Sequence, residues 1–345
     1  MTTVRAIVGA IATLLVSVTP VAAEAQGDAA PPPYPAPGRL VDVGGWRLHL
    51  NCTGELNAST PTVILEAGIG DFSVEWSLVQ PGVAKFARVC AYDRADDGWS
   101  DLGPHPRTMH QIVYELHTLL DGAGVRPPFV LVGHSYGGWL VRLYANKYPS
   151  EVAGMVLVEA GADDPVRMLG DGKLRHSSDL VTGKPIPPVK TSNPVREGDL
   201  PPGVVTQLEA AARQFGPRAN EPPRDKLPAD AQRMRTWAYS HVRHWLQGDN
   251  PFEADELAIL RAERAKSEHP YGDMPLVVLT RGISDEEGPD SRAMEDEHRR
   301  DHAAVAKFSR VGRMVVAAHS GHHIQLDEPE LVVTTIQQVV TAARK

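Results

Sequence analysis

The chain has 345 residues, of which 42 % are hydrophobic, and carries a formal net charge of −8 at pH 7. This hydrophobic content suffices for a sizeable core in one large domain or two. The acidic balance gives no reason to expect a nucleic-acid partner, because phosphate binding requires a basic surface.

The first 25 residues have the pattern of a secretory signal peptide. Arg5 gives a positive start, residues 7–18 form an apolar run, and small-residue cleavage motifs end at Ala23 and Ala25. The run is shorter than the roughly 20 apolar residues that a membrane span requires. We therefore expect a cleaved signal and a secreted or periplasmic protein with no stable membrane insertion; an uncleaved anchor is the alternative.

Residues 26–38 are rich in proline and small residues, which predicts a linker. After it, short β-rich runs alternate with segments that carry apolar residues at helical spacing. Candidate helices follow Thr108, begin at Tyr136 and begin at Pro329. This alternation predicts an α/β sheet with helices on both faces. The candidate strands are residues 39–43, 46–52, 62–66, 87–93, 129–132, 154–159, 276–280 and 312–317.

The alternation breaks between residues 163 and 270. This segment is rich in proline, charge and helix formers and contains no convincing strand. Because it lies between two candidate strands, we interpret it as a cap over the edge of the sheet. The core is then formed by residues 39–162 and 271–345.

Residues 130–138 predict a strand, a sharp turn and a helix. They read Val-Leu-Val-Gly-His-Ser-Tyr-Gly-Gly, so that Ser135 stands at the apex of the turn. Small residues are needed there because such a turn is too tight for a Cβ beside the nucleophile. A helix that begins at Tyr136 would aim its amides at an anion formed at this point. The pattern therefore indicates Ser135 as a nucleophile.

A serine nucleophile needs a base, and the base needs an orienting carboxylate. Residues 319–324 read His-Ser-Gly-His-His-Ile and follow the last candidate strand, which favours His322 as the base, with His323 as the alternative. His319, His322 and His323 can also be interpreted as a metal cluster, but metal ligands usually sit on a regular element with a further ligand nearby. We expect no metal and no cofactor.

These segments resemble the α/β-hydrolase superfamily, in particular bacterial exported serine hydrolases with a G-H-S-x-G-G nucleophile elbow. The likeness is carried by residues 65–70, 91–94, 98–100, 133–138 and 320–322, and it covers the predicted core but not the cap. It implies an α/β-hydrolase fold, with a mostly parallel eight-stranded sheet, helices on both faces and an inserted, mainly helical cap.

The resemblance also implies roles for individual residues. Ser135 would be the nucleophile and His322 the base, and the backbone amides of Ile69 and Tyr136 would form the oxyanion hole. Amides suit this task because they are fixed dipoles that need no reorganisation as the charge develops.

The acid of the triad stays open between Asp285, Glu159 and the other acidic residues of the loop that holds Asp285, namely Glu286, Glu287 and Asp290. The superfamily usually places it after the strand that follows the cap, where Gly282-Ile283-Ser284-Asp285 indicates Asp285. Some members carry it one strand earlier, where Glu159 ends a candidate strand. Other acidic residues crowd the Asp285 loop, so Asp285 could also belong to a solvated acidic run.

The resemblance further bears on the two cysteines. In this superfamily the second strand lies beside the fourth and runs antiparallel to it, which brings Cys52 close to Cys90. A disulfide is therefore expected in an exported protein, and a reduced buried pair is the alternative.

Two more features allow interpretation from sequence. Asp96 and Asp97 stand where similar proteins have a glycine and an apolar residue, and they could form a solvated turn or select a cationic or hydroxylated substrate. In the cap, Trp237, His241 and Trp245 recur every fourth residue, which predicts one helix face that serves packing rather than substrate contact.

Together these features predict an exported serine hydrolase that cleaves a small-molecule carboxylic ester, like a carboxylesterase or lipase, through an acyl-enzyme. An amide or peptide hydrolase, or an acyltransferase, on the same triad is the alternative. A non-catalytic binding protein fits less well, because Ser135, His322 and the oxyanion glycines are all present. The sequence does not indicate an oligomeric state.

Overall fold

The computed structural model describes residues 32–168, 174–195, 197–248, 250–284 and 291–344. The predicted signal peptide, the start of the linker and Asp285 lie outside these ranges. Within them, no helix combines the length and the apolar character that a membrane crossing needs.

The fold is organised around one large sheet. The strands are β1 (Arg39–Asp42), β2 (Arg47–Thr53), β3 (Thr62–Glu66), β4 (Val89–Tyr92), β5 (Phe129–His134), β6 (Val152–Val158), β7 (Val166–Met168), β8 (Leu174–His176), β9 (Leu276–Arg281) and β10 (Arg313–Ala317). Eight of them form the sheet, in the order β1-β2-β4-β3-β5-β6-β9-β10. The pairs β1–β2 and β2–β4 are antiparallel and the others are parallel. These are the eight candidate strands of the sequence, each confirmed to within two residues at its ends.

Helices cover both faces of the sheet, as predicted. They are α1 (Gln80–Val83), α2 (Met109–Gly122), α3 (Tyr136–Lys147), α4 (Pro202–Phe215), α5 (Ala229–Tyr239), α6 (Glu253–Arg264), α7 (Ser291–Ala306), α8 (Ile324–Asp327) and α9 (Pro329–Ala343). Apolar residues of α2, α3, α6 and the end of α7 pack on one face, and those of α1 and α9 pack on the other. Thr108 caps α2, because its side-chain oxygen accepts from the Gln111 N–H at 3.1 Å.

The parallel strands β3, β5, β6, β9 and β10 place their carboxyl ends at one edge of the sheet. Strands β3, β5 and β9 are buried along their whole length, which explains their nearly continuous apolar sequences. The segments that follow the five strands carry the predicted site residues, so the topology gathers them from distant parts of the chain.

The cap lies between β6 and β9 and contains α4, α5, α6 and a two-stranded antiparallel ribbon of β7 and β8. The expectation that this segment has no strand was wrong. Each ribbon strand has only three residues, which is too short to show the alternating pattern of a strand in the sequence.

The aromatic stripe of the cap does not lie on one helix. Helix α5 ends at Tyr239, and Trp245 lies in the following 3-10 turn, where its indole N–H donates to the Tyr239 carbonyl at 3.1 Å. The helical expectation was wrong, but the packing interpretation is confirmed for Trp237, which packs against an apolar cluster that includes Phe72 and Leu326.

Buried polar contacts join the cap to the core. His244 of the cap lies 3.0 Å from the carboxylate of Asp97, and both side chains are buried. Glu256 on α6 accepts from the backbone N–H groups of Met109 and His110, both at 2.9 Å, and so caps the N-terminus of α2.

These contacts correct both interpretations of the acidic pair. Asp96 and Asp97 are each 0 % exposed, so they neither form a solvated turn nor line a site entrance. Asp96 accepts from the Gly103 N–H at 2.9 Å and lies 3.1 Å from His105, while Asp97 pairs with His244. The pair is therefore part of the buried framework.

The described end of the predicted linker lies against the cap and the core. The Tyr34 carbonyl accepts from the Trp99 indole N–H at 3.1 Å, and the Arg233 guanidinium donates to the Tyr34 hydroxyl. The same guanidinium lies 5.0 Å from the centre of the Tyr34 ring. Residues near Tyr34 are thus fixed to the fold rather than extended away from it.

Cys52 and Cys90 form a disulfide, as expected. They are directly opposite each other in the antiparallel pairing of β2 with β4. The bond closes a segment of the chain that contains β3, the strand that leads into the predicted oxyanion loop.

Candidate active site

Ser135 stands on a sharp turn between β5 and α3. Its backbone has φ 52° and ψ −120°, which is a strained conformation for a residue with a Cβ. Three hydrogen bonds hold it: the Ser135 N–H donates to Val158 at 3.1 Å, and its carbonyl accepts from Gly138 at 2.9 Å and Gly161 at 3.0 Å. The strand, turn and helix predicted from the sequence are therefore present, and the side chain of Ser135 is partly accessible.

Close backbone approach explains the glycines around the turn. A Cβ at Gly133 would lie 2.4 Å from the Gly137 carbonyl oxygen. A Cβ at Gly137 would lie 2.6 Å from the carbonyl oxygens of both Glu66 and Ala67. The second contact also places the loop that follows β3 directly against the first turn of α3.

That loop, residues 67–71, carries Ile69 and is called the oxyanion loop below. Ile69 is 51 % exposed, so it is not a core residue. Among the described residues, its backbone N–H has no hydrogen-bond acceptor. The amide of Tyr136, at the start of α3, is the other predicted donor.

The guanidinium of Arg94 holds the oxyanion loop from the core side. It donates to the carbonyl oxygens of Ala67 at 2.8 Å, Gly68 at 2.5 Å and Asp71 at 3.1 Å. It also donates to the carboxylate of Glu66 at 2.7 Å, and both side chains are buried. Sequence reasoning did not find this role of Arg94. The only available signal was its position just after β4, which lies beside β3 in the sheet.

His322 lies in the loop between β10 and α8. Its carbonyl is 3.0 Å from the Nε2 atom of His134, the residue before Ser135, and the two imidazole rings are 4.9 Å apart. The structure therefore brings His322 next to the nucleophile turn, although 188 positions separate it from His134 in the chain.

The loop of His322 is joined to the loop that follows β9. The Ser320 carbonyl accepts from the N–H groups of Gly282 at 3.1 Å and Ile283 at 3.0 Å. Glu328 accepts from the Ser320 hydroxyl at 2.8 Å and so closes the loop of His322. Asp285 itself lies outside the described residues, three positions after Gly282.

The surroundings of His323 affect its protonation. Burial lowers the pKa of His323 to about 3, so its imidazole stays neutral at ordinary pH. Burial and the neighbouring His322 also lower the pKa of His134 well below its usual value.

Glu159 is buried at the end of β6, with φ 45°. Its carboxylate accepts from the Arg281 backbone N–H at 2.7 Å and from the Arg281 guanidinium at 3.0 Å, and it lies 2.7 Å from His298. Burial would raise the pKa of Glu159, but the contact with His298 and the charge of Arg281 lower it. The carboxylate is thus ionised and bound to the end of β9 and to α7.

Two groups of side chains have donor atoms close enough to surround a metal ion. They are Asp71, His134 and His323, and Glu159, His298 and His302. In both, the carboxylate is already bound by arginine: Asp71 by Arg224 and Arg235, and Glu159 by Arg281. A cation would lie beside a guanidinium at either place, so these donor sets suit a metal poorly. The expectation of no metal at His319, His322 and His323 stays a prediction.

The chain is similar in sequence and in fold to known proteins. The sequence pattern described as "Alpha/beta hydrolase family" matches residues 63–335. The uncharacterized protein YqjL of Bacillus subtilis is 28 % identical over 287 residues, which are 83 % of this chain and 86 % of that protein. An esterase from Thermogutta terrifontis has 16 % identity and a TM-score of 0.58, over 89 % of this chain and 100 % of the other. An enol-lactonase from Burkholderia xenovorans LB400 has 16 % identity and a TM-score of 0.57, over 88 % and 100 %. At such identities the two structures show a shared fold alone.

The buried histidine beside Glu159 predicts a pH effect on stability. Burial lowers the pKa of His302 to about 4, and its Nε2 atom lies 2.8 Å from the Ala160 carbonyl. Because the folded value lies below the unfolded value of about 6.5, the unfolded state takes up the proton first as the pH falls. Stability that is fully present above pH 6.5 is therefore lost toward pH 4, by about 3 kcal/mol for this residue.

His302→Gln isolates this effect, because a glutamine amide can still donate to Ala160 but does not titrate. Urea unfolding at pH 7 and pH 4.5 should show a loss that is about 2–3 kcal/mol smaller in the variant than in the wild type. Equal losses in the two proteins would contradict the assignment of a neutral, buried His302.

Proposed function

Because the chain belongs to the alpha/beta hydrolase family, we propose that it is an exported serine hydrolase that cleaves carboxylic esters through an acyl-enzyme. The observation that carries the proposal is the strained, partly accessible Ser135 on its turn between β5 and α3. Strain of this kind persists only where the surroundings hold it, and it presents the hydroxyl above the edge of the sheet.

In the proposed reaction, the Ser135 hydroxyl attacks the ester carbonyl while His322 accepts the hydroxyl proton. The tetrahedral intermediate carries its negative oxygen toward the N–H groups of Ile69 and Tyr136. His322 then gives the proton to the leaving alcohol, and the acyl group stays on Ser135. A water molecule, activated by His322 in the same way, releases the acid and restores the serine.

The pKa of a general base should lie near the working pH. The pKa of about 3 for His323 makes that residue a poor base, which supports His322. The contact of the His322 carbonyl with His134 is further support, because it holds this loop beside Ser135.

We propose Asp285 as the acid, ahead of Glu159. The carboxylate of Glu159 is already committed to Arg281 and His298. The backbone bonds from Gly282 and Ile283 to Ser320 join the loop that leads to Asp285 to the loop of His322. These hydrogen bonds support an acid in the loop after β9, because that loop is bonded to the loop that carries His322.

Exposed apolar side chains support an apolar ester as the substrate. Ile69 in the oxyanion loop is 51 % exposed, and Ile283 in the loop after β9 is 52 % exposed. Both follow strands whose carboxyl ends lie at the edge that carries Ser135, on opposite sides of β5 in the strand order. A large exposed apolar residue in each loop favours contact with hydrocarbon parts of a ligand.

The proposed location outside the cytoplasm has support from chemistry. A disulfide such as Cys52–Cys90 persists in oxidising compartments and is rare in the cytosol. The proposed signal peptide would deliver the chain to such a compartment.

The first test compares the wild type with Ser135→Ala in two assays, covalent labelling by a serine-reactive probe and hydrolysis of esters. The wild type should react with a fluorophosphonate probe and hydrolyse p-nitrophenyl esters from acetate to dodecanoate, with longer chains preferred. Ser135→Ala should lose labelling and at least about 10³-fold in kcat/KM, because no other group supplies the nucleophile. Ser178→Ala, at an exposed serine of the cap, is the matched control and should behave as wild type.

Retained activity in Ser135→Ala would overturn the proposal. A matched set of amides would reveal the alternative reaction, since an amidase would hydrolyse the amide about as fast as the ester. Transfer of the acyl group to an added alcohol, in preference to water, would identify an acyltransferase.

The second test compares Asp285→Asn with Glu159→Gln. We expect Asp285→Asn to lower kcat by about 10³–10⁴-fold with little loss of stability, because the base loses its orienting charge. Glu159→Gln should lower the stability by about 1.5–3 kcal/mol, because it removes one of the two buried carboxylates, Glu159 and Glu295, that pair with Arg281. Its kcat, measured well below the midpoint of unfolding, should change far less. The opposite result would transfer the acid to Glu159.

A further inference from the structure

The direction of the Ile69 amide is set by a contact on the other side of the same peptide group. The Gly68 carbonyl accepts from the buried guanidinium of Arg94. In a planar trans peptide the C=O of one residue and the N–H of the next point in opposite directions. The Ile69 N–H therefore points away from Arg94. Its lack of an acceptor among the described residues agrees with a donor that is kept for a ligand.

The cap holds the other end of the oxyanion loop. The hydroxyl of Tyr239, the last residue of α5, donates to the Gly70 carbonyl at 3.0 Å. Arg235, one turn earlier on the same helix, donates to the Asp71 carboxylate at 3.0 Å. The guanidinium of Arg235 also lies 4.7 Å from the centre of the Tyr239 ring. Two neighbouring side chains of one cap helix thus donate hydrogen bonds to two successive residues of the oxyanion loop.

The contact between Arg235 and Asp71 is a buried ion pair. Arg235 and Asp71 are 0 % and 2 % exposed, and each has a second partner of opposite charge, Glu75 for Arg235 and Arg224 for Asp71. The pair therefore belongs to a buried charge network, which is costly to break. Burial alone would raise the pKa of Asp71, but Arg224 and Arg235 lower it, so the carboxylate stays ionised. Arg235 is itself fixed to the cap, because its Nε–H donates to the Ala219 carbonyl at 2.9 Å.

We propose that Tyr239 and Arg235 are positioning residues of the oxyanion hole, so that the hole is complete only when the cap is seated on the core. The proposal rests on the proposed function, in which Ile69 is an oxyanion donor. Arg94 fixes the peptide that carries this donor, and α5 fixes the two residues that follow it. Displacement of the cap would release the Gly70 carbonyl and the Asp71 carboxylate from α5, while Arg94 would still bind the carbonyls of Gly68 and Asp71.

Tyr239→Phe tests this coupling with a small change that removes one hydroxyl. We expect kcat for a p-nitrophenyl ester to fall about tenfold, because a misaligned donor stabilises the transition state less, while KM stays within about twofold. The affinity for an alkylboronic acid, which forms a tetrahedral adduct with the serine, should fall by a similar factor. Tyr144→Phe is the matched control, because its hydroxyl bonds to Glu151 at 2.6 Å, near the far end of α3.

Hydrogen exchange gives a reading that does not depend on activity. In Tyr239→Phe, the backbone amides of the peptide that spans residues 67–72 should exchange faster than in the wild type, and in Tyr144→Phe they should not. Faster exchange of these amides in Tyr239→Phe with no fall in kcat would show that the Tyr239 hydrogen bond has a structural role only. This result would overturn the proposal.

Failure of this proposal is distinguishable from failure of the proposed function. If the wild type does not react with the fluorophosphonate probe, the serine hydrolase assignment fails and this proposal fails with it. If the wild type reacts, but Tyr239→Phe matches it in kcat, boronate affinity and exchange, only the coupling to the cap is overturned.

Discussion

The rest of the site depends on one buried guanidinium. Arg94 is 3 % exposed, and a charge in that position needs partners on every side. Glu66 at the end of β3 and the buried Asp97 supply negative charge, and three carbonyl oxygens of the oxyanion loop accept from the same guanidinium. These contacts with the buried cation hold the shape of the loop. The carbonyls of Ala67, Gly68 and Asp71 point toward Arg94, and the Ile69 N–H points away from it as a consequence of peptide geometry. The same loop touches the first turn of α3 at Gly137, so the two proposed amide donors belong to elements in direct contact.

Buried polar contacts also attach the cap to the core. Its polar contacts with the core include the pairs of Arg235 with Asp71 and His244 with Asp97, together with the cap that Glu256 forms on α2. Such contacts have defined geometry, and breaking one removes a partner from a buried charge or backbone group. They fix where the cap sits more strictly than apolar packing alone would.

The sequence was sufficient for the sheet and for the turn that carries Ser135, but not for the polar framework. Strands such as β3 and β5 are continuous apolar runs, and Ser135 is flanked by glycines that only a sharp turn requires. His322 follows the last strand, and the topology brings its loop beside the turn that carries Ser135. The pairing of Arg235 with Asp71 spans 164 positions, and no periodicity or local motif predicts such a contact. The same limit explains the error at Asp96 and Asp97, because two adjacent carboxylates indicate a solvated turn unless their distant partners are known. The three-residue strands of the cap ribbon were too short for their pattern to be recognised.

The central claim is that Ser135 forms a covalent acyl-enzyme, and mass spectrometry of the protein during turnover tests it most directly. The mature enzyme would be mixed with p-nitrophenyl butyrate, quenched in acid within the first turnovers and digested. The account predicts one butyryl group per chain, located on the peptide that contains Ser135, and no such group in Ser135→Ala. Ester hydrolysis without an adduct, or an adduct confined to another residue, would contradict it.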